Sequence, residues 1–150
     1  MLLSSACEYG LRTAVYVASL EEDGHVPIRR ISEALEISAP FLTKILQQLT
    51  ENGHMTSLRG PKGGVAFARP PSQITIADVV TSIDGDGLFT ECVLGLPGCG
   101  NAAPCPLHDR WGAERDRIAA LFSSLTLADL AADVNRSDEP LRLAPTAIEL

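Results

Sequence analysis

Three cysteines and one histidine lie close together in a 150-residue chain that contains only four cysteines. Six residues separate Cys92 from Cys99, five separate Cys99 from Cys105, and two more precede His108. Thiolates are ligands for zinc, copper(I) and iron–sulfur clusters. Structural zinc sites usually combine close C-x2-C pairs, which this segment lacks. Its wide loop, which contains glycine and proline, therefore favours an iron–sulfur cluster, of the 2Fe–2S or the 4Fe–4S type.

Three thiolates leave the position of a fourth ligand to be filled. His108 comes near the start of a predicted helix, close enough to Cys105 to ligate through a neutral imidazole. Glu8 and Cys7 are further candidates if the first predicted helix packs near the loop of a second protomer. Cys7 stands among apolar helix positions, so its expected role is to fill the core. The residues alone leave the fourth ligand open.

Three other kinds of protein could use the same cysteines. A metal-free regulator could sense redox state through thiols and a disulfide, and a zinc-binding module could mediate protein interactions. An enzyme could use Cys105 as a nucleophile and His108 as a base. Because no third orienting residue or oxyanion-binding turn is evident, the chain is not expected to be an enzyme.

Composition and charge limit the class of protein. The hydrophobic fraction of 45% is enough for one domain's core, and no apolar run is long enough to span a bilayer. The first residues lack the pattern of a signal peptide, so a cytoplasmic location with reduced thiols is expected. The net charge of −7 arises from residues 71–150, which have five basic and twelve acidic residues. Residues 1–70 have seven of each, with clustered arginines.

The elements that position these residues begin with three predicted helices. The first runs from Ser4 or Ser5 to about Leu20, the second follows Pro27, and the third starts at Ser38, which could cap it, and ends at Gly53. Two short strand-like segments, MTSLR and VAFAR, then flank the glycine-rich GPKGG. A helix-turn-helix followed by such a hairpin predicts a winged helix, in a mainly α fold with a small β wing.

Further helices are predicted on both sides of the cysteine loop. Capping-box patterns begin helices at Thr75 and Thr126, and a long helix with an extended apolar stripe covers about 106–125. So small a core cannot bury that whole stripe, which favours a partner helix. The predicted organisation is a winged helix-turn-helix domain at 1–84 and a cluster-binding loop at 85–105. A dimerisation helix and a short terminal helix follow at 106–134, and then a flexible tail at 135–150.

A winged helix of this kind reads double-stranded DNA with the start of its third helix. Arg29 and Arg30 begin the second helix, where phosphates commonly lie, and Arg59 is expected in the minor groove. Lys62 and Arg69 flank the glycines of the wing. Thr43 and Lys44 can donate hydrogen bonds to bases, and Phe41 can touch a thymine methyl. The complete set of predicted DNA-binding residues is Arg29, Arg30, Ser38, Pro40, Phe41, Thr43, Lys44, Arg59 and Lys62.

Several ordered motifs resemble one known family. They are SSACEYGLRTAVYVASL, ISAPFLTKILQQLTENG, SLRGPKGGV, ITIADVVTSIDG, the three-cysteine loop, CPLHDRW and LTLADL. Together they cover about residues 2–134 and resemble the Rrf-type winged-helix transcriptional regulators, in particular their iron–sulfur branch. That branch includes regulators of cluster biogenesis, nitric-oxide sensors and iron regulators.

The resemblance implies a homodimer that binds a pseudo-palindromic operator and carries an iron–sulfur cluster near the dimer interface. It implies Cys92, Cys99 and Cys105 as ligands. His108 matches the fourth ligand of the cluster-biogenesis type, and Glu8 matches the ligand that the other protomer supplies in the nitric-oxide type. We favour His108. Thr43 replaces a glutamate of the cluster-biogenesis type, which implies a different preference for DNA sites.

Overall fold

The structure is a computed structural model that describes residues 2–136, 138 and 141–145, and it confirms a mainly helical fold with a small antiparallel sheet. No described helix is long and apolar enough to cross a membrane. The elements, in chain order, are α1 (Ser5–Ser19), α2 (Ile28–Leu35), α3 (Ala39–Glu51), β1 (Met55–Leu58), β2 (Gly64–Phe67), a 3-10 turn (Pro71–Gln73), α4 (Ile76–Asp84), α5 (Gly87–Thr90), α6 (His108–Ser124) and α7 (Leu127–Arg136).

Helices α2 and α3 form the predicted helix-turn-helix. The turn between them places Glu36 in the left-handed region, with a φ of 56°, which reverses the chain in two residues. Ser38 occupies the N-cap of α3, but its side chain makes no capping hydrogen bond in the described structure. The predicted capping role of its hydroxyl is therefore wrong. Gly53 has a φ of 78°, as expected for the residue that follows the end of a helix.

Strands β1 and β2 pair antiparallel from Met55 opposite Phe67 to Leu58 opposite Gly64 and form the wing. The amide of Val26 donates to the carbonyl of Val65 at 2.8 Å, and the reverse bond is 2.9 Å long. These bonds attach the wing to the segment before α2. A Cβ on Gly64 would overlap the Val26 carbonyl, so this contact requires glycine.

The core lies between α1, α3, α4 and α7, with α7 packed along α1. His54, just after α3, binds the Ser82 hydroxyl of α4 through Nε2 at 2.9 Å. The predicted capping box at the start of α4 is confirmed. The largest buried apolar side chains come from all parts of the described chain and include Ile31, Leu35, Leu42, Ile45, Leu49, Met55, Ile74, Val79, Val80 and Leu127.

Helix α6 contacts α4 and α5 but has no buried residue in the described structure. Leu121, near its end, is 54% exposed. This agrees with the expectation that the apolar stripe of the helix exceeds what the core covers. The predicted capping box at the start of α7 is present, because Thr126 and Asp129 exchange bonds of 2.9 and 3.1 Å.

Two short elements, α5 and the 3-10 turn, were not expected from the sequence. Helix α7 ends at Arg136, inside the segment predicted to be a tail. Of that segment, residues 137, 139–140 and 146–150 lie outside the described residues, and the predicted flexibility stays a prediction. The carbonyl of Leu143 accepts a bond of 3.2 Å from Nη1 of Arg12 on α1.

Candidate metal centre and nucleic-acid interface

The loop between α5 and α6 brings three thiols together. The sulfur atoms of Cys92, Cys99 and Cys105 all lie within 4.8 Å of one another, and each side chain is partly exposed. The Cys92 and Cys105 sulfurs are 3.5 Å apart. Glycines with positive φ, Gly95 at 69° and Gly98 at 70°, give the loop its turns. The predicted cysteine group is thus a compact set of soft donors at the surface.

Backbone amides of the loop point at the sulfurs. Hydrogen bonds from the Leu96 and Leu94 amides lower the pKa of Cys92 to about 7. The amide of Cys105 lies 3.4 Å from the Cys99 sulfur. Desolvation raises the pKa of Cys105 above its ordinary value. The loop therefore stabilises at least one thiolate, which is the form that binds metal.

His108 lies beside the three thiols as the first residue of α6. Its Nδ1 is 3.5 Å from the Cys99 sulfur, and its Nε2 is 3.2 Å from the side-chain oxygen of Asn101. If Nε2 donates its proton to Asn101, the lone pair of Nδ1 faces the sulfurs. This is how a second residue commonly orients a metal-binding histidine.

The two candidates on α1 have different surroundings. Glu8 is exposed and is not part of the cysteine group in this single chain. Cys7 is fully buried in the core, as predicted. Burial and the nearby carboxylates of Asp84 and Glu8 raise the pKa of Cys7 to about 12. Cys7 is thus a neutral core thiol.

In the reduced, metal-free protein we expect iodoacetamide to modify Cys92 well before Cys7. At about pH 7.5 a thiol with a pKa near 7 is mostly thiolate, whereas Cys7 stays protonated and has no access to the reagent. Lowering the pH through 7 should slow the reaction of Cys92. Mass spectrometry of labelled peptides measures both rates. Equal rates in the folded protein would contradict these environments, and equal rates after denaturation are the control.

The predicted DNA-reading helix exposes part of its first turns. Thr43 and Lys44 are exposed, and the Thr43 hydroxyl donates to the Ala39 carbonyl at 2.8 Å. Ser38 and Pro40 are also exposed at the start of α3. Phe41 is half-buried instead, with its ring edge-on to Tyr9 at 5.5 Å between centroids. Its role therefore includes packing α3 on α1, and its predicted contact with a base stays a prediction.

The predicted cations fall into two groups. Arg29 pairs with Glu33 at 2.9 Å and Arg30 with Glu22 at 2.6 Å, so both cations at the start of α2 have acidic neighbours. Arg59 and Lys62 are exposed on the wing, and neither forms an ion pair with a described residue. Arg69 pairs with Asp78 at 3.5 Å at the base of the wing.

Three residues in these surfaces were missed by sequence reasoning. Gln47 lines the groove between α3 and the wing together with Thr43 and Arg59. It is exposed one helical turn after Thr43, a spacing that could have indicated it. Asn101 accepts a hydrogen bond from His108, and this contact depends on how the loop folds. Trp111 was expected in the apolar stripe of α6, but its indole N–H donates to the Glu91 carbonyl at 3.0 Å.

A model of the Rrf2 family, described as iron-dependent transcriptional regulator, matches residues 3–133. The chain belongs to the Rrf2 family. The predicted resemblance is confirmed, and the protein is a transcriptional regulator with a DNA-binding winged helix. The relatives of this Rrf2 protein are regulators, a class of protein that acts by binding DNA and not by catalysis.

Individual relatives support this assignment along most of the chain. The HTH-type transcriptional regulator IscR of Yersinia enterocolitica is 34% identical over 138 residues, which cover 92% of this chain and 82% of that protein. IscR of Photorhabdus laumondii is 32% identical over 151 residues, covering 97% and 92%. CymR of B. subtilis, titled the global cysteine regulator, has 25% identity and a TM-score of 0.74, covering 87% of this Rrf2 chain and 96% of its own. The structure of T. potens IscR, at 24% identity, has a TM-score of 0.73 and covers 93% of each chain.

Proposed function

We propose that this Rrf2 protein controls transcription through an iron–sulfur cluster held by Cys92, Cys99, Cys105 and His108. The observation that carries the proposal is the meeting of three sulfur atoms within 4.8 Å in an exposed loop. The chemistry of these donors fits a cluster, since thiolates are its usual ligands and amides close to the sulfurs tune it. The IscR relatives add support. Since such a regulator binds DNA, we place it in the cytoplasm.

The fourth ligand in this proposal is His108 through Nδ1. The side-chain oxygen of Asn101 lies 3.2 Å from Nε2 of His108 and accepts a hydrogen bond from it. Nδ1 is then directed towards the Cys99 sulfur. Glu8 is the alternative, and it would have to come from α1 of the partner protomer. Separate replacement of His108 by alanine and of Glu8 by glutamine would assign the ligand through the change in cluster spectrum.

When bound, an iron–sulfur cluster can change its redox state or react with nitric oxide, and its presence depends on iron supply. The protein's own residues convert that state into a change of shape. A ligand shared by both sulfurs would hold Cys92 and Cys105, at the two ends of the loop, in a fixed relative position. Their release would move the loop at 90–105 against α6. The distance between the two recognition helices of a dimer would then no longer match half-sites that lie about one DNA turn apart.

The proposal includes a homodimer built on α6 and a pseudo-palindromic operator. Helix α6 presents Leu121, and the neighbouring loop presents Leu96 and Leu107, with exposed fractions of 54%, 49% and 37%. Exposed apolar side chains of this size, on a long helix and in the loop before it, are typical of a protein interface. Two winged helices related by two-fold symmetry would match a symmetric operator.

Replacing Leu121 with aspartate is expected to weaken the dimer and operator binding together. A buried, unpaired carboxylate at each copy of the interface would cost about 2 kcal/mol or more, whereas the isolated chain exposes this position already. Sedimentation equilibrium and operator titration would measure the two effects. Ser123→Asp, an exposed site on the opposite side of the same helix, serves as the control. A dimer of native affinity would contradict the assigned interface.

A metal-free thiol sensor is the second candidate, favoured by the separation of 3.5 Å between the sulfurs of Cys92 and Cys105. An oxidant could join these two thiols in a disulfide with little movement. A zinc-binding module for protein interactions would use the same three thiols. Both alternatives keep the winged helix but lack inorganic sulfide.

Purification without oxygen, followed by metal and sulfide analysis and Mössbauer spectroscopy, tests the proposal. We expect iron and acid-labile sulfide in equal amounts, with a spectrum that assigns a 2Fe–2S or a 4Fe–4S cluster. Zinc without sulfide would favour the interaction module. Protein that contains no metal and does not take up a cluster by reconstitution would overturn the proposal in favour of the thiol sensor.

A further inference from the structure

Two side chains of α6 hold the backbone directly before the first cluster cysteine. The indole N–H of Trp111 donates to the carbonyl of Glu91 at 3.0 Å. Nη1 of Arg115 donates to the carbonyls of Thr90 and Glu91, at 3.1 Å each. Glu91 precedes Cys92, so the three bonds fix the point at which the chain enters the cysteine loop.

The same face of α6 also bears the proposed histidine ligand. His108, Trp111 and Arg115 are spaced i, i+3 and i+7, which places them along one side of a helix. This side faces the cysteine loop, since all three side chains bond to it or to residues just before it. One helix face thus contacts both the entrance to the loop and its interior.

The contact of Arg115 is unusual for an arginine of this helix. Arg117, two residues further on, pairs with Glu114 on the exposed side at 2.8 Å. Arg115 is half-buried, its Nε is buried without a hydrogen-bond partner among the described residues, and its guanidinium reaches backbone carbonyls. A cation that donates to two successive carbonyls restricts their relative orientation strongly. The side chain therefore constrains the loop more than it serves as a surface charge.

We propose that Trp111 and Arg115 are positioning residues that set where Cys92 stands relative to Cys99, Cys105 and His108 and that couple the loop to α6. This inference rests on the proposed function, in which the three thiols hold a cluster. Neither side chain forms a hydrogen bond with the thiols in the described structure. Through these bonds, displacement of the loop entrance acts on α6, which packs against α4. Helix α4 in turn packs against α3, the recognition helix.

The test compares Arg115→Ala and Trp111→Phe with Arg117→Ala, which removes a charge from the same helix without touching the loop. In the metal-free protein, hydrogen exchange of the amides at 87–99 and acrylamide quenching of Trp111, the only tryptophan, report on the loop entrance. We expect Arg115→Ala to speed exchange about tenfold and to make Trp111 about twice as accessible to acrylamide. Arg117→Ala should match the unmodified protein in both measurements.

In the cluster-loaded protein, both loop variants should lose the cluster to air or to a chelator about tenfold faster than Arg117→Ala does. If hydrogen exchange and acrylamide quenching in Arg115→Ala equal those of the unmodified protein, Arg115 does not hold the entrance to the loop. Faster exchange with unchanged cluster loss would overturn its positioning role. Circular dichroism checks that each variant is folded, and Trp111→Phe provides a second variant that keeps an aromatic ring. If the unmodified protein takes up no cluster, the proposed function fails. The metal-free measurements then decide alone whether Trp111 and Arg115 hold the entrance to the loop.

Discussion

Replacement of Cys105 by alanine is expected to abolish cluster binding and to make DNA binding independent of iron supply. Cys105 contributes one of three sulfurs within 4.8 Å of one another. Its removal would leave two thiols and one histidine, too few to hold a cluster against exchange with solvent thiols. The visible absorption of the anaerobically purified variant should be lost, and its operator affinity should equal that of the metal-free native protein.

The matched control for this change is Cys7→Ala, since Cys7 is the only cysteine outside the group. Cys7 is buried in the core, so its loss should cost about 1 kcal/mol of folding stability and leave the cluster spectrum unchanged. Thermal unfolding and visible spectra separate the two effects. A Cys105→Ala protein that retains a native spectrum would contradict the assigned ligands, as would loss of the spectrum in a folded Cys7→Ala protein.

Replacement of Arg59 by alanine is expected to weaken operator binding by about 1–3 kcal/mol for each protomer, so the loss occurs twice in a dimer. Arg59 is exposed where β1 passes into the GPKGG tip, and it forms no ion pair with a described residue that would have to break. Its guanidinium is therefore free to enter a groove. Fluorescence anisotropy with labelled operator, repeated across a salt series, measures the loss of affinity and the reduced salt dependence.

Arg136→Ala is the control for the loss of one positive charge. Arg136 lies at the end of α7, outside the winged helix, and pairs with Asp133 at 2.6 Å. Its removal should change operator affinity little at moderate salt, because exposed pairs contribute little and the charge is not at the DNA-reading surface. If Arg59→Ala and Arg136→Ala bind the operator equally well, the wing does not contact DNA as proposed.

The winged helix could be predicted from sequence because its signals are local. Apolar spacing, the break at Glu36 and Ile37, Gly53 after α3 and the glycines of the wing each determine a nearby backbone conformation. The capping boxes at Thr75 and Thr126 were predictable for the same reason. The exception is Ser38, whose position was right but whose hydroxyl does not cap α3. Residue type and position alone do not determine which way a short polar side chain turns.

The cysteine loop was only partly predictable because its contacts join residues that are distant in sequence. The spacing of the three cysteines predicted a shared site, and they do converge. In contrast, no periodicity indicated that Trp111 would donate to Glu91 or that Asn101 would bond to His108. These bonds depend on how an irregular loop packs against α6. Phe41 similarly contacts Tyr9 because α1 and α3 cross, which a helix pattern does not reveal.

The most direct test of cluster control measures one operator's affinity for cluster-loaded and metal-free forms of the same preparation. Binding should be followed anaerobically at fixed salt, with recovery of the original affinity after reconstitution. A coupling free energy of about 1–3 kcal/mol predicts affinities that differ by about 5- to 150-fold between the two forms. Equal affinities in a protein that demonstrably gains and loses its cluster would contradict the proposed control.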